Sequence, residues 1–108
     1  MAKQDALQGS LPLLVLKVLD RHGPLHGYGI TARIEAASDL LRVEEGSLYP
    51  ALHRLEENGS IQAEWVTTEN NRRARVYKLT SAGRKQLRDE QRRWTSISAA
   101  IGQVLEQA

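Results

Sequence analysis

The sequence contains no cysteine among its 108 residues. It therefore has no disulfide framework and no thiolate for zinc binding or catalysis, which suits a reducing compartment. Long apolar runs are also missing, since the longest, Leu13 to Leu16, is far too short to span a bilayer. Lys17 follows that run and no small-residue cleavage site comes after it, so the layout is not that of a signal peptide. We expect a cytoplasmic protein with no membrane attachment.

The motifs of common catalytic classes are missing as well. No glycine-rich phosphate loop precedes a helix, and no His-x-x-x-His pair lies on a helix beside a carboxylate. His22 and His26 are four residues apart, but Gly23-Pro24 breaks the helix between them, so they do not share a helical face. We expect no enzymatic activity, no metal site and no cofactor.

Size and charge favour one small domain that binds a polyanion. A chain of this length forms one modest core, and its hydrophobic fraction of 41% favours a folded globule. The net charge of +2 is distributed unevenly. Residues 72–93 contain nine Lys or Arg and two acids, whereas the remainder contains six bases and eleven acids. Such a basic segment is typical of a protein that binds phosphate backbones, although a solvated helix face is an alternative source of part of it.

Capping and breaking residues mark two helices in the first forty positions. Ser10 is expected to cap the first helix, with Pro12 tolerated in its first turn and a short turn or arm before it. Gly23-Pro24 ends this helix because glycine supplies the C-terminal turn and proline prevents continuation. The second helix is expected from His26 to about Ser38.

A third, amphipathic helix is expected from Gly46 or Ser47. Leu48, Leu52 and Leu55 recur at i, i+4 and i+7, which is the spacing of one helical face. Asn58-Gly59 supplies the residue that ends the helix. The positions away from the leucine face carry polar side chains: Ser47, Tyr49, His53 and Arg54. Pro50 suits the first turn of a helix, where it has a structural role.

Two short strands are predicted after the third helix. A period of two is read in residues 61–65 and again in 75–79, where Arg75, Tyr77 and Leu79 alternate with Val76 and Lys78. Such segments, containing β-branched and aromatic residues, indicate half-buried strands, with Trp65 in the hairpin core. The connection between them is polar, basic at its end, and contains the turn-prone pair Asn70-Asn71. A helix, a hairpin and a basic tip together predict a winged helix that contacts DNA. The alternative is a hairpin whose charged tip only keeps a sheet edge soluble.

The expected fold is therefore mainly α with a β-hairpin, a winged helix-turn-helix in the first 80 residues. In this arrangement the third helix lies in the major groove. Ser47 and Tyr49 are placed to reach phosphates, and His53 and Arg54 to reach a base edge. Two alternatives stay open: Tyr49 packs under the wing, or Arg54 only pairs with Glu57. A winged helix that contacts protein alone is a further alternative, against which the basic tip argues.

A long last helix is expected from Ser81 to about Gln107, capped by Thr80. Large apolar residues in it follow a heptad spacing that Glu90 interrupts: Leu87, Trp94, Ile97, Ile101 and Val104. Such a stripe predicts a homodimer about a two-fold axis, with residues 81–108 as the dimerisation segment. The alternative is that the helix folds back on the first helix of its own chain.

Three sequence blocks together resemble the PadR family of transcriptional regulators. They are HGYGI at 26–30, GSLYPALHRLE at 46–56 and YKLTSAG at 77–83, and the resemblance extends over about residues 7 to 85. It implies a homodimeric regulator, in most cases a repressor, with a winged helix that binds a double-stranded DNA operator and a single C-terminal dimerisation helix. Ser60 departs from the family pattern, which has a bulky apolar residue there. This departure bears on how tightly the recognition helix joins the wing.

The resemblance also implies functional residues. Carried over to this sequence, the DNA-binding positions are Tyr28, Ser47, Tyr49, Pro50, His53, Arg54, Asn71, Arg72, Arg73 and Arg75. Tyr28 either touches phosphate or packs inside the domain. Regulators of this kind often release DNA when a small hydrophobic or aromatic compound binds. Trp94, close to its own copy across a two-fold axis, is the candidate ligand site, and ordinary interface packing is the alternative.

Overall fold

The computed structural model describes the backbone of residues 2–107 and the side chains of residues 9–107. Within these residues the chain forms four helices and three strands. Their bounds are α1 (Ala2–His22), β1 (Leu25–His26), α2 (Gly27–Ala37), α3 (Glu45–Glu57), β2 (Ile61–Thr67), β3 (Arg73–Leu79) and α4 (Ser81–Glu106). The prediction of a mainly helical fold with a β-hairpin is confirmed.

The first helix begins well before the predicted cap. It starts at Ala2, so Ser10 lies inside it, and the segment expected to form an arm is helical. Pro12 is consequently in the helix interior and not in its first turn. The residues before Ser10 are rich in alanine, lysine, glutamine and leucine, which favour helix strongly enough to outweigh a weak capping signal. The predicted end is correct: Gly23 has a φ of 79°, and its N–H donates to the Leu19 carbonyl at 3.0 Å.

The hydrophobic core lies between α1, α2, α3 and the base of the hairpin. Its buried apolar side chains are Leu11, Val15, Leu16, Leu19, Ile30, Ile34, Leu48, Ala51, Leu52, Leu55, Ile61, Tyr77, Leu79 and Leu87. A buried leucine or isoleucine contributes about 1.5–3 kcal/mol relative to an exposed one. The three leucines predicted for the inner face of α3 are among them, so this prediction is confirmed.

The sheet is antiparallel, in the order β1-β3-β2. β1 has only two residues, too few for an alternation pattern, and was not predicted; its Leu25 pairs with Tyr77. The hairpin runs from the pair Ile61–Leu79 at its base to Thr67–Arg73 near its tip. On the face that meets the core, the side chains at its base are buried and those near the tip are exposed, because the tip extends beyond the core.

Trp65 corrects one expectation about the hairpin. Its side chain is 57% exposed, so it does not belong to the hairpin core. The alternation pattern identified its face of the sheet correctly, since Ile61 and Ala63 on the same face are buried and half-buried. The pattern carries no information on where along the strand the core ends.

The last helix extends past the rest of the domain and elongates the molecule, which measures 60 × 28 × 21 Å along its principal axes with this helix included. α4 has 26 residues and is about 39 Å long. The Thr80 hydroxyl oxygen accepts a hydrogen bond from the Gly83 N–H at 3.0 Å, which confirms the predicted cap. Leu87 is 4% exposed and belongs to the core of its own chain, which corrects its placement on the predicted dimerisation stripe. The helix packs on α1 of its own chain, and its buried residues, Gly83 and Leu87, lie in its first two turns. No helix within residues 2–107 is long and apolar enough to cross a membrane.

The joint between the hairpin and α4 is formed around Ser60, which is only 3% exposed. Its carbonyl oxygen accepts hydrogen bonds from the N–H and the hydroxyl of Thr80, at 3.1 and 3.0 Å. Its own hydroxyl bonds with the side chains of Asn58 and Gln86. Gly83 packs directly on the Ser60 carbonyl, where a side chain would overlap the oxygen. The polar residue at this position therefore connects α3 and the wing to α4 through hydrogen bonds.

Candidate nucleic-acid interface

The outer face of α3 presents the side chains predicted for recognition. Tyr49, Pro50, His53 and Arg54 are exposed, and Ser47 is half-buried. The alternative pairing of Arg54 with Glu57 is not formed. Glu57 instead lies 3.6 Å from the His53 Nε2 atom, and both side chains are exposed, so that contact contributes little. The leucine face fixes the helix on the core, and the polar face is left for contacts outside the domain.

Tyr49 packs on the start of α2, and it is also close enough to Tyr77 of β3 to influence the pKa of that phenol. A Cβ atom at Gly27 would lie 2.7 Å from the Tyr49 hydroxyl oxygen and 3.1 Å from two of its ring carbons. Any larger residue would force the ring to shift, which accounts for the first glycine of the HGYGI block. About half of the tyrosine stays exposed beside the N terminus of α2.

That N terminus presents a second aromatic side chain. The His26 Nδ1 atom accepts a hydrogen bond from the Gly29 N–H at 3.0 Å and caps α2. Tyr28 follows it and is 78% exposed, with its ring centroid 6.3 Å from that of His26. The alternative that Tyr28 packs inside the domain is therefore wrong. The positive end of a helix dipole and an exposed hydroxyl favour an anion at this position.

The wing ends in a tight, basic turn. The Thr68 N–H donates to the Arg72 carbonyl at 2.7 Å, and the Asn71 N–H donates to the Thr68 carbonyl at 2.9 Å. Asn71 has a φ of 60°, a left-handed conformation that asparagine tolerates better than most residues, in agreement with the turn predicted there. Arg72 and Arg73 are exposed at this end of the hairpin.

Arg75 has a different environment from the arginines at the tip. Its guanidinium lies 2.7 Å from a Glu56 carboxylate oxygen, and this ion pair joins the wing to the end of α3. Sequence reasoning missed the pair, because no local spacing rule relates residues 19 apart.

Nearby, burial raises the pKa of the Tyr77 phenol, and the positive charge of Arg75 opposes that rise. Tyr77 is therefore a neutral packing residue between the core and the wing.

Apolar side chains are exposed along the second half of α4. We call this set the apolar stripe, and it consists of Trp94, Ile97, Ile101, Val104 and Leu105. Leu105 was missed, although its spacing of four from Ile101 was the signal that could have found it. The stripe continues the helix face that buries Gly83 and Leu87 nearer the domain.

A groove of about 920 Å³ adjoins the start of the stripe. It runs between α1, the loop after α2 and α4, and it is mostly apolar. Trp94 lines it together with Leu13, Leu14, Leu40 and Leu41. Leu40 is 89% exposed there, which could not be predicted from the sequence because the α2–α3 loop has no periodic pattern.

Solved structures show the same architecture. A PadR family transcriptional regulator from Eggerthella lenta is 28% identical, with a TM-score of 0.82 over 97% of this chain and 89% of that one. PadR of Bacillus subtilis in complex with operator DNA is 29% identical, with a TM-score of 0.65 over 73% of this chain and 45% of that one.

Sequence relatives agree with the structural ones. The transcriptional regulator Rv3488 of Mycobacterium tuberculosis is 38% identical over 77 residues, which cover 71% of this chain and 69% of the relative. A protein encoded in transposon TN4556 of Streptomyces fradiae is 42% identical over 96 residues, 89% of this chain, but the match spans only a quarter of its length. Residues 15–89, more than half of the chain, match the family described as the transcriptional regulator PadR-like family. The chain therefore belongs to the PadR-like family of transcriptional regulators, and it is not an enzyme.

Proposed function

We propose that this regulator binds DNA directly and in a sequence-specific manner through the outer face of α3, the start of α2 and the tip of the wing. The observation that carries the proposal is the continuity of this surface. Tyr49 on α3 packs against Gly27 at the start of α2, and Arg75 on the wing pairs with Glu56 of α3. The three elements thus present their exposed donors and cations from one connected framework.

The proposed contacts are of two kinds: those to base edges, which read the DNA sequence, and those to phosphates, which position the protein on the duplex. α3 lies in the major groove, with His53 and Arg54 toward base edges. Phosphates are contacted by the hydroxyls of Tyr28, Ser47 and Tyr49 and by the wing residues Asn71, Arg72 and Arg73. Arg75 and Pro50 are given the role of holding the surface in place, Arg75 through Glu56 and Pro50 through the first turn of α3. The Bacillus subtilis relative solved with operator DNA supports the choice of duplex DNA as the partner.

The salt dependence of binding tests this proposal. Binding to duplex DNA is expected to weaken steeply as salt rises, because phosphate contacts release counterions. Arg72→Ala is expected to reduce the slope of log K against log salt by about 1 for each wing engaged. Arg93→Ala is the matched control, since it removes the same charge from α4, outside the proposed surface. A flat salt response of the unmodified chain would instead support a winged helix that contacts protein.

We further propose that the chain acts as a homodimer on an imperfectly palindromic operator, with residues 1–80 binding DNA and residues 81–108 joining the two copies. The apolar stripe supports a second copy as the occupant, because it extends a helix face already buried in the protomer and keeps a heptad spacing. A two-fold axis would place the recognition helices about one turn of B-DNA apart, roughly 34 Å. Repression, the mode that the family resemblance favours, follows if the operator overlaps a promoter, and footprinting on the DNA upstream of the coding sequence would locate that operator.

A small hydrophobic or aromatic effector is proposed to bind at Trp94 and release the DNA. Support comes from the exposed indole and from the apolar groove that it lines. Planar aromatic compounds are expected to quench the fluorescence of Trp94 on binding, and Trp94→Ala is expected to abolish their binding while the dimer persists. Trp65→Phe is the control, because it removes the other tryptophan at similar exposure and leaves the groove unchanged. Undiminished binding of the compound by Trp94→Ala would exclude this site and leave interface packing as the role of Trp94.

A further inference from the structure

The inner face of the wing carries aromatic rings and guanidinium groups in alternation. Trp65 of β2 is paired with Arg75 of β3, and Thr67 is paired with Arg73, so these side chains share one face of the hairpin. The guanidinium carbon of Arg73 lies 4.7 Å from the centroid of the Trp65 ring, and that of Arg75 lies 5.9 Å from it. Arg75 also lies 6.0 Å from the Tyr77 ring. The two cations are therefore placed against aromatic rings.

Core packing does not account for Trp65. Ile61 and Ala63, on the same face nearer the domain, are buried and half-buried, whereas more than half of Trp65 is in solvent. Tryptophan has the aromatic ring with the strongest attraction for a cation. The cation–π contact with the wing arginines is thus the main interaction that the Trp65 side chain makes at this position.

Arg73 and Arg75 differ in what else holds them. Arg75 is held by Glu56 at 2.7 Å, a contact that does not involve the tryptophan. The ion pairs found in residues 9–107 do not include Arg73, so the Trp65 ring is the contact that restrains its guanidinium. A long side chain that is ordered before binding loses less conformational freedom when it meets its partner.

We propose that Trp65 is a positioning residue of the DNA-binding surface: it stacks on Arg73 and holds that guanidinium in the extended wing, ready for a DNA phosphate. This inference rests on the DNA-binding function proposed above. It assigns Trp65 a role through Arg73 and not through burial, and it predicts that the two residues are coupled energetically in DNA binding. Arg75, which Glu56 already holds, should depend on Trp65 much less.

A double-mutant cycle tests the coupling, with affinity measured by fluorescence anisotropy on a labelled random-sequence duplex at low ionic strength, where phosphate contacts dominate. Trp65→Leu is expected to weaken binding about two- to fivefold per wing, as for the loss of one exposed cation–π contact. In an Arg73→Ala background the same substitution is expected to change affinity by less than about twofold, because the cation that it positions is absent. Trp65→Phe, which keeps an aromatic face, is expected to retain most of the affinity.

Val66→Ala is the control, since it changes the opposite face of the same strand, and it should leave the affinity unchanged. Thermal unfolding of the Trp65 variants should match that of the unmodified chain, which separates positioning from folding. Equal losses in both Arg73 backgrounds, or no loss in either, would overturn the inference and leave the DNA-binding proposal standing. Failure of the unmodified chain to bind the duplex at all would instead refute the proposed function, and this inference with it.

Discussion

Gly83→Ala is expected to destabilise the fold by about 3 kcal/mol or more, at the upper end of the range for overpacking a tight contact. A Cβ atom at this position would overlap the Ser60 carbonyl oxygen and lie 2.7 Å from the Leu79 Cδ1 atom. The Ser60 oxygen cannot move aside easily, because it accepts a hydrogen bond from the Thr80 N–H and shares the Thr80 hydroxyl proton with the Gly59 carbonyl. For a domain of this size the melting temperature should fall by at least about 12 °C, which scanning calorimetry at fixed protein concentration would measure.

Gly102→Ala is the matched control for this prediction. Gly102 lies in the same helix, but a Cβ atom built there meets nothing within 4 Å. Because glycine inside a helix is less stable than alanine by about 0.5–1 kcal/mol, this substitution should raise the melting temperature slightly. A Gly83→Ala protein that melts within about 2 °C of the unmodified chain would show that the joint between β3 and α4 can relax, against the geometry described above.

Ile101→Glu is expected to convert the proposed homodimer into monomers at micromolar concentration. The carboxylate would be placed at the centre of the apolar stripe, where pairing with a second copy would bury two like charges without partners. Two linked DNA-binding units gain about 10²–10⁴ in avidity over one, so affinity for a palindromic operator should fall about 100-fold or more. Sedimentation equilibrium would report the mass, and anisotropy on the same sample would report the affinity.

Gln103→Glu provides the control for charge alone. Gln103 is exposed and lies two residues beyond Ile101, on the opposite side of α4, so the same carboxylate there faces solvent. It should leave both the mass and the operator affinity unchanged. If the Ile101→Glu protein still sediments as a dimer, the apolar stripe is not the surface that joins the copies.

Local signals predicted the parts of the fold that depend on local chemistry. The leucine spacing of α3, the glycine that ends α1 and the threonine that caps α4 each act within one or two turns of chain, so their residues are sufficient to identify them. The predicted start of α1 was wrong because the capping signal of Ser10 is outweighed by the helix-favouring segment before it. The strand β1 was missed because its two residues pair only with a partner about fifty positions later in the chain.

The sequence was sufficient to choose the residues of the candidate site, but not to predict the tertiary contacts that they make. The polar positions of α3 follow from the leucine positions, since side chains on a helix divide between two faces. The pairing of Arg75 with Glu56 and the packing of Tyr49 on Gly27 are tertiary contacts that no spacing rule contains. Periodicity likewise could not show that Leu87 is buried by its own chain while Trp94, seven residues later on the same face, is exposed. That difference depends on where the domain ends along α4.

Only Thr80 separates the wing from α4, and its hydroxyl is bonded both to the carbonyl of Ser60 and to the N–H of Gly83. The DNA-binding part of the chain (the reading head) is therefore joined without a flexible linker to α4, the arm that would pair two copies. In a paired molecule the distance between the heads would be governed by the crossing angle of the arms. A tilt of one degree along a 26-residue arm displaces its far end by about 0.7 Å. A small rotation where the arms cross would therefore change the spacing of the heads enough that they no longer match successive turns of the duplex.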